Sequence, residues 1–485
     1  MTTVWNELEQ KCIENAKLCA FSDNAEFTAT YSDLRSYIYG SAHTLLEKVP
    51  VRTNIAIMLS NPYWEAIYVL AGLAAGYVVV PLPQQYGVST CLKTISQLNS
   101  VTVICDSTTV GVYKKEHKTL GSYIIINEIA CKQPFPLPSV YENDLALIMF
   151  TSGTTGMSKG VMLSHRNVVA NIKAIASYFM VSSDDSILIL RPLFHVAVMT
   201  GELLLGIYKG MQISFYEELF NPKRVLKYLD KNGTTVLCAT PTIFGYLSRI
   251  AFSSQLRLSH CVISGEILTK AMVSLIRTAF PYINFYHVYG LTEASPRVSY
   301  LPPELFNLKP TSVGIPIGTV TLRIIGKSGE DVPNGTAGEL LVKGLNVMRG
   351  YYEQPDLTNK KIRSGWLHTG DIAQYDKDGY LYILGRIDEM IIRAGVNIYP
   401  TEIENVLLSS TAVLEAFVYG KEDDNLGQQI IANVVLKKDI ASEDLYKLCR
   451  TKLPQYSWPS QIVQVSSLEK NSSGKIIRKN RMNDK

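Results

Sequence analysis

The chain has 485 residues, too many for one hydrophobic core, which predicts at least two domains with room for a deep cleft. Its 47 Lys and Arg residues against 43 Asp and Glu residues give a net charge of only +4, which argues against nucleic acid as a partner. The eight cysteines include no CxxC pair, and the N-terminal segment carries acidic residues and no apolar core. These features argue against a disulfide framework and a signal peptide, and predict a cytoplasmic protein.

Over the first 300 residues, short β-branched runs alternate with longer helical patterns, such as the helix predicted at 62–75. This alternation is typical of an α/β fold with largely parallel sheets. The apolar run 66–82 approaches the length of a membrane span, but Gly76 divides it into a helix and a strand, so we expect no integral membrane segment. The predicted strands are NIAIML (54–59), VTVICD (101–106), SILIL (186–190), TTVLCAT (234–240) and LSHCVISG (258–265).

From about Gly314 the pattern changes to closely spaced strands and glycine-rich turns, which predicts a β-barrel-like subdomain. After Asp388 new elements begin: a hairpin, a helix at 400–408, two strands and a helix at 442–452. We therefore predict two domains, a large N-terminal domain at 1–387 and a small α+β domain at 388–485.

The strongest motif is the segment LIMFTSGTTGMSKGV at 147–161, in which an apolar strand leads into a loop of glycines, hydroxyl side chains and one lysine. Glycines let backbone N–H groups converge on an anion, hydroxyls donate further hydrogen bonds, and Lys159 adds positive charge. The loop is not a Walker A motif, because Ser158 stands where that motif requires glycine. The pattern predicts a polyphosphate-binding loop.

Through this loop and the motifs that follow it, the chain resembles the adenylate-forming superfamily of acyl- and aryl-CoA synthetases, peptide-synthetase adenylation domains and luciferases, and within it most resembles stand-alone acid–CoA ligases. Five further motifs support the resemblance, in the order that the superfamily has them: YGLTEAS (289–295), GELLVKG (338–344), GWLHTGD (365–371), GYLYILGRIDEMIIRAGVNIYPTEIE (379–404) and NSSGKIIRK (471–479). The resemblance covers nearly the whole chain. It implies a ligase that uses ATP and Mg²⁺ to convert a carboxylic acid into an acyl-adenylate.

The resemblance also implies a nucleotide site built from several motifs. Glu293 and Thr151 would hold magnesium, Tyr289 would stack on adenine, Asp371 would accept the ribose hydroxyls, and Arg386 would lie near ribose and phosphate. The residues assigned in this way to ATP, magnesium or the thiol cofactor are Thr151, Ser152, Gly153, Thr154, Thr155, Gly156, Gly265, Glu266, Tyr289, Gly290, Thr292, Glu293, Asp371, Arg386 and Gly395.

The C-terminal domain would be mobile in such an enzyme. Lys475 matches the catalytic lysine that bridges the attacking carboxylate and the α-phosphate, and Lys159 and Glu293 would act with it on the phosphates. Asp388 matches the hinge, about which the domain swings between the two half-reactions. Gly395 matches a glycine that leaves space for the pantetheine arm.

The segment PLFHV (192–196) resembles the acid-site motif of acyl- and aryl-CoA synthetases, in which the histidine lies near the substrate carboxylate. Amino-acid-activating relatives have an aspartate where this chain has His195, so we expect an acid without an α-amino group. A core histidine is the alternative for His195. By analogy, the pocket walls are 240–244, 263–266, 287–291 and 294–297, which leaves fatty and aromatic acids both open.

The acceptor is predicted to be coenzyme A. The chain lacks the insertion that marks fatty-acyl-AMP ligases, since residues 347–371 run without a break into GWLHTGD. Loading of a carrier-protein phosphopantetheine is the main alternative, because that arm would enter the same tunnel. A luciferase-like oxygenase is a more remote one.

Overall fold

A computed structural model describes residues 2–22, 27–82, 87–116, 121–151, 158–250, 256–423 and 425–469. Helices and strands alternate up to the phosphate loop, as predicted. They are α1 (Val4–Glu14), β1 (Cys19–Ser22), β2 (Thr28–Thr30), α2 (Tyr31–Lys48), β3 (Asn54–Met58), α3 (Pro62–Ala74), β4 (Val78–Pro81), α4 (Val88–Ile95), β5 (Val101–Cys105), α5 (Ser107–Lys115), β6 (Tyr123–Ile125) and β7 (Leu145–Thr151).

The alternation continues after the loop, with one irregular helix. A π-helical stretch, Met199–Leu204, joins α7 to α8. The elements of this region are β8 (Lys159–Ser164), α6 (His165–Tyr178), β9 (Ser186–Ile189), α7 (Val196–Val198), α8 (Leu205–Lys209), β10 (Gln212–Phe215), α9 (Pro222–Lys231), β11 (Val236–Ala239), α10 (Pro241–Ser248), β12 (His260–Ile263), α11 (Lys270–Ala279), β13 (Asn284–Gly290), β14 (Arg297–Leu301) and β15 (Ile315–Pro316).

The last third is rich in strands, as predicted. Up to Arg386 it contains β16 (Val320–Ile325), β17 (Gly338–Gly344), β18 (Gly350–Tyr351), α12 (Pro355–Lys361), β19 (Ile362–Arg363), β20 (Trp366–Tyr375) and β21 (Leu381–Arg386). Beyond it lie β22 (Ile391–Arg393), β23 (Val396–Ile398), α13 (Pro400–Leu408), β24 (Val413–Asp423), β25 (Gly427–Leu436), α14 (Ser442–Lys452) and β26 (Gln461–Gln464).

Two large sheets are formed by strands that lie between Cys19 and Tyr351. In the described residues one has the strand order β18-β8-β7-β4-β3-β5-β6 and the other β15-β14-β13-β12-β11-β9-β10-β1-β2. Their central strands are parallel, for example β3 with β4 and β11 with β12. The largest apolar cluster includes residues of both sheets and of α1, α2, α3 and α6, so helices and sheets share one core.

Local sequence explains the helix–strand unit at 66–82. Asn61 caps α3 through its side chain and Pro62 occupies the first turn, where its missing N–H costs nothing. Gly76 follows the helix at a φ of +79°, a left-handed conformation that glycine adopts easily. The β-branched residues of β4 then form a central strand. Both halves are buried, and in the described part of the chain no helix is both long and apolar enough to cross a bilayer.

The β subdomain is an antiparallel sheet of β16, β17, β20 and β19, with β21 paired to β20. The C-terminal region has the hairpin β22–β23 and the sheet β24-β25-β26. Residues of these strands and of α13 and α14, including Ile391, Ile403, Val418 and Leu445, form an apolar cluster of their own. The fold is therefore α/β, with a β subdomain and a smaller α+β region, as the sequence predicts.

Candidate active site

The predicted phosphate loop lies between two paired strands of the first sheet. β7 and β8 are antiparallel, and Thr151 at the end of β7 pairs with Lys159 at the start of β8. The Lys159 Nζ lies 5.8 Å from the ring centroid of Tyr351, a cation–π contact. Ser152, Gly153, Thr154, Thr155 and Gly156 lie outside the described residues. The strand pair thus places Thr151 and Lys159 at the two ends of the loop.

The Thr-Glu motif follows β13 in the second sheet. Gly290 ends the strand, and Thr292 to Ala294 form a 3₁₀ turn. The Tyr351 hydroxyl donates to Glu293 Oε1 at 2.7 Å, and burial together with this carboxylate raises the pKa of Tyr351. Tyr351 therefore contacts both Glu293 and Lys159, which come from different sheets. Sequence reasoning missed it, although it lies within the run used above to judge the acceptor.

Two buried asparagines hold the loop after Glu293. Asn346 Nδ2 donates to the carbonyls of Ala294 and Arg297, at 2.8 and 2.9 Å. Asn171 Nδ2 also donates to the Arg297 carbonyl at 2.8 Å, and its Oδ1 accepts from the Arg297 N–H. Buried amides that bind backbone groups fix a loop in one conformation. The turn that carries Glu293 is therefore held from α6 and from the segment that follows β17.

Asp371 lies in β20 and forms a partly buried network with two other predicted residues. The Tyr289 hydroxyl donates to Asp371 Oδ2, and Arg386 Nη1 donates to Asp371 Oδ1 at 3.1 Å. Burial, then the neighbouring carboxylate, raises the pKa of Tyr289 well above its ordinary value. Burial alone would lower the pKa of Arg386, but Asp371 and Asp388 outweigh it and raise that pKa. Tyr289 and Arg386 thus remain a neutral phenol and a cation.

A second cation, Lys361 of α12, lies beside Arg386. The Thr369 carbonyl accepts from Lys361 Nζ at 2.8 Å and from Arg386 Nη1 at 3.1 Å. Burial lowers the pKa of Lys361, and the charges of Glu293 and Asp371 oppose that shift. Sequence reasoning missed Lys361, because a lysine in a polar helix just before GWLHTGD has no local signal that separates it from a surface residue.

His195 precedes the helix that contains the π-helical stretch. Burial, together with the positive charge of Arg191, lowers the pKa of its imidazole to about 3, so His195 is neutral near pH 7. Its ring lies against Phe194 with centroids 4.0 Å apart. A neutral imidazole can donate one hydrogen bond to a carboxylate but brings no charge to it.

Gly265 and Glu266 follow β12 in the second sheet, at the edge where the parallel strand β13 ends with Gly290. Gly265 has a φ of +89°, which favours glycine there. Glu266 Oε2 accepts from the N–H and the hydroxyl of Thr242, at 3.1 and 2.7 Å, and so binds the first turn of α10. Glu266 is therefore paired within the protein.

The described contacts do not connect Gly395 to this site. Gly395 forms the turn of the β22–β23 hairpin at a φ of +79°, and an added Cβ there would have no atom of the described structure within 4 Å. Lys475 lies outside the described residues. Glu293, Lys159, Asp371, Arg386 and Tyr289 are the predicted residues that the described contacts connect, directly or through Tyr351 and Lys361.

The sequence matches two family profiles. Residues 8–352 match the profile described as AMP-binding enzyme, and residues 402–475 match the profile of the AMP-binding enzyme C-terminal domain. The two profiles together include the phosphate loop, the segment 192–196 and the motifs at 289–295 and 338–344. The motif GWLHTGD, most of the motif at 379–404 and the last residues of the motif at 471–479 lie outside them.

Curated relatives include ligases for different acids. A long-chain-fatty-acid–CoA ligase of Salmonella typhimurium is 34% identical over 353 residues, 70% of this chain and 62% of that protein, so the matched part spans less than two thirds of that relative. A 2-succinylbenzoate–CoA ligase of Bacillus cereus is 33% identical over 433 residues, 88% of this chain and 87% of that protein. A feruloyl-CoA synthase of an Amycolatopsis species is 34% identical over 72% of each chain.

Solved structures extend the similarity to the full fold. The o-succinylbenzoate CoA synthetase of Bacillus subtilis, in complex with its acyl-adenylate intermediate, superposes with a TM-score of 0.89 at 27% identity and covers 100% of this chain and 99% of that one. The same synthetase with ATP and magnesium gives a TM-score of 0.88. Profiles, relatives and fold agree, and the chain belongs to the AMP-binding enzyme family.

Proposed function

We propose that this protein is an AMP-forming acid–CoA ligase. In the first step an oxygen of the acid's carboxylate attacks the α-phosphorus of ATP, the bond to pyrophosphate breaks, and an acyl-adenylate forms. In the second step the thiol of coenzyme A loses its proton and attacks the acyl carbon, and AMP leaves. The acid has no α-amino group.

The observation that carries the proposal is the network around Asp371. A carboxylate offers about four lone-pair sites, of which Tyr289 and Arg386 use two, one on each oxygen. The remaining sites suit the two hydroxyls of a ribose. The ring of Tyr289, whose hydroxyl binds Asp371, would stack on adenine, and Arg386 and Lys361 would add positive charge for the phosphate that follows the ribose.

Glu293 and Thr151 would supply the hard oxygen ligands that Mg²⁺ prefers, and in the described structure Tyr351 binds one oxygen of Glu293. Such a sparse set fits a cation that keeps several waters and binds substrate phosphates. When bound, the ion would neutralise phosphate charge. Lys159, Ser152, Gly153, Thr154, Thr155 and Gly156 would hold the terminal phosphates, and Lys475 would neutralise charge between the carboxylate and the α-phosphate.

We propose a mobile C-terminal domain at 388–485 for the second step. Its apolar cluster of residues 391–449 supports a separate folding unit. Arg386 Nε donates to Asp388 Oδ1 at 3.1 Å while its Nη1 binds Asp371, which links the proposed hinge to the nucleotide site. The turn at Gly395 would then admit the pantetheine arm of coenzyme A. All eight cysteines are described and are free thiols, which supports a place in the cytoplasm.

The test is acid-dependent AMP release from ATP and Mg²⁺, measured with and without coenzyme A. The panel would contain short to long fatty acids, dicarboxylic acids, benzoates, cinnamates and amino acids. We expect one class of non-amino acids to yield AMP, pyrophosphate and a CoA thioester in equal amounts.

Other outcomes would change the proposal in defined ways. An adenylate that stays bound and is not discharged by coenzyme A would point to a carrier-protein phosphopantetheine as acceptor. Oxygen consumption with light would support an oxygenase. AMP release that no acid stimulates would contradict the proposed function.

A further inference from the structure

A buried cluster of charged side chains lies beside the helix that begins after His195. Arg191 Nη2 pairs with Glu202 Oε1 at 2.8 Å, and Arg297 of β14 lies close enough for its positive charge to favour the ionised form of Glu202. Glu202 is 1% exposed and Arg297 4% exposed. A Cβ added at Gly201 would lie 3.2 Å from Arg297 Nη2, so the glycine makes room for the guanidinium on the π-helical stretch.

Polar atoms of this cluster lack partners. In the described part of the chain, Arg191 Nε, Arg297 Nε, Glu202 Oε2 and Thr200 Oγ1 are buried without a hydrogen-bond partner. A buried polar atom without a partner is costly, and such atoms gather where a ligand completes the bonding. Residues 191–202 and the strand β14 thus present three hydrogen-bond donors, on Arg191, Thr200 and Arg297. The Glu202 carboxyl adds one acceptor, and no described residue pairs with any of these four atoms.

The cluster also carries an uncompensated charge. Arg191 and Arg297 are cations, and Glu202, whose pKa burial raises against the charges of both arginines, contributes at most one negative charge. His195 adds no charge, since burial and Arg191 lower its pKa to about 3. Among the residues that the structure describes, the cluster is therefore left with at least one positive charge in a buried place, where an unpaired charge is strongly unfavourable. An anionic group would balance it, and an ammonium group would be repelled.

The position separates this charge from the reacting end of the acid. Glu202 follows His195, the residue that caps the helix, by seven residues, which corresponds to about 10 Å along the axis at the α-helical rise and to somewhat less over the π-helical stretch. The proposed function places the reacting carboxylate beside His195. A balancing group on the same substrate would therefore lie at its far end.

We propose that the natural substrate is an acid with a second carboxylate at its far end, and that Arg297 receives this group. This inference rests on the proposed function and names the substrate class of that site. Arg297 would bind the carboxylate through its free Nε–H and a terminal N–H, while Arg191 keeps Glu202 paired. An unbranched fatty acid would leave the guanidinium against an alkyl chain, without a partner.

The test compares acids that differ only at the far end. Adipate, suberate and sebacate would be assayed against hexanoate, octanoate and decanoate, and terephthalate against 4-methylbenzoate, by kcat/KM for AMP release. A buried site built to hydrogen-bond one group discriminates strongly against its absence, and we expect at least one diacid to exceed its partner by about 100-fold or more. In Arg297→Met that preference should fall to about tenfold or less, with a much smaller loss for the monoacids.

Three further variants make the result unambiguous. Arg297→Lys keeps the charge without the planar fork and should retain part of the preference, which also covers the case in which Arg297→Met does not fold. Glu202→Gln removes the competing carboxylate and should increase the preference for diacids. Arg224→Met, at an exposed arginine of α9 paired with Glu218, should leave both rates unchanged.

Two results would overturn the inference while the ligase proposal stands. One is a wild-type preference for the monoacids with formation of their CoA thioesters. The other is an equal loss of both series in Arg297→Met and Arg297→Lys, which would assign Arg297 to the reacting carboxylate or to folding. Absence of AMP from every acid would contradict the proposed function itself.

Discussion

Asp371 is the residue on which the proposed nucleotide site depends most directly. Its two oxygens accept from Tyr289 and Arg386, and its backbone N–H donates to Thr369 Oγ1 at 3.0 Å. The carboxylate is thus held in one orientation before any ligand binds. Preorganised acceptors of this kind contribute binding energy without the entropic cost of ordering.

We expect Asp371→Asn to weaken ATP binding with a smaller effect on the acid. An amide has one acceptor oxygen instead of two, and loss of charge-assisted hydrogen bonds to ribose should raise KM for ATP by about tenfold or more. Steady-state kinetics with ATP varied at saturating acid would measure this. The control is Asp378→Asn, an exposed aspartate that pairs with Lys309. Equal KM values for wild type and Asp371→Asn would remove Asp371 from the site.

Lys475 is assigned to the first half-reaction only. Without its charge the carboxylate and the α-phosphate repel each other, so Lys475→Ala should lose about 100-fold or more in adenylate formation. Transfer to coenzyme A from a supplied acyl-adenylate should fall much less. Lys479→Ala, in the same basic segment, is the matched control. A similar loss in both half-reactions would contradict the assignment.

At the scale of elements, the end of β13 decides where Glu293 lies. Gly290 pairs with Arg297 of β14, and an added Cβ at Gly290 would lie 2.4 Å from the Pro296 carbonyl oxygen. The backbone of this loop is fixed by Asn171 and Asn346 and cannot move aside easily. Close approach of two backbones is thus the reason for glycine at this place.

Gly290→Ala should therefore damage the site through its geometry. We expect kcat/KM for ATP to fall by about 100-fold, because a displacement of about 1 Å at catalytic groups costs this much. Thermal unfolding would show a lower Tm as well. Gly318→Ala is the control, since an added Cβ there meets no atom within 4 Å in the described structure. An unchanged kcat/KM in Gly290→Ala would show that the turn is adaptable.

At the scale of the whole molecule, buried histidines predict how stability depends on pH. Burial lowers the pKa of His165 and of His287 to about 4, and that of His195 to about 3. The unfolded chain takes up protons near the ordinary value of about 6.5, before the folded protein does. The stability from these groups is thus complete above pH 6.5 and is lost as the pH falls through 4.

Urea unfolding at pH 7 and pH 4.5 would measure the effect. A histidine pKa lowered from about 6.5 in the unfolded chain to about 4 in the folded protein corresponds to a loss of about 3 kcal/mol of unfolding free energy between a pH above 6.5 and a pH below 4. His165→Asn should therefore reduce the loss between pH 7 and 4.5. Equal pH dependence in wild type and His165→Asn would contradict a neutral buried His165.

Much of the fold could be predicted from the sequence, because its elements have strong local signals. The β-branched runs form central strands. Asn61 caps the start of the helix α3 and Gly76 follows its end, as the chemistry of these two residues suggests. The link between Tyr351 and Glu293 could not be foreseen, because it joins residues 58 positions apart in different sheets. Lys361 and the cluster of Arg191, Glu202 and Arg297 depend in the same way on long-range packing.

The most direct test of the account follows an oxygen atom. The acid would be supplied with both carboxylate oxygens as ¹⁸O, together with ATP, Mg²⁺ and coenzyme A, and the products analysed by mass spectrometry. Attack of the carboxylate on the α-phosphorus and later cleavage of the acyl–oxygen bond predict AMP with one ¹⁸O atom and a thioester with one. Unlabelled AMP, or ADP with the label in inorganic phosphate, would contradict adenylate formation.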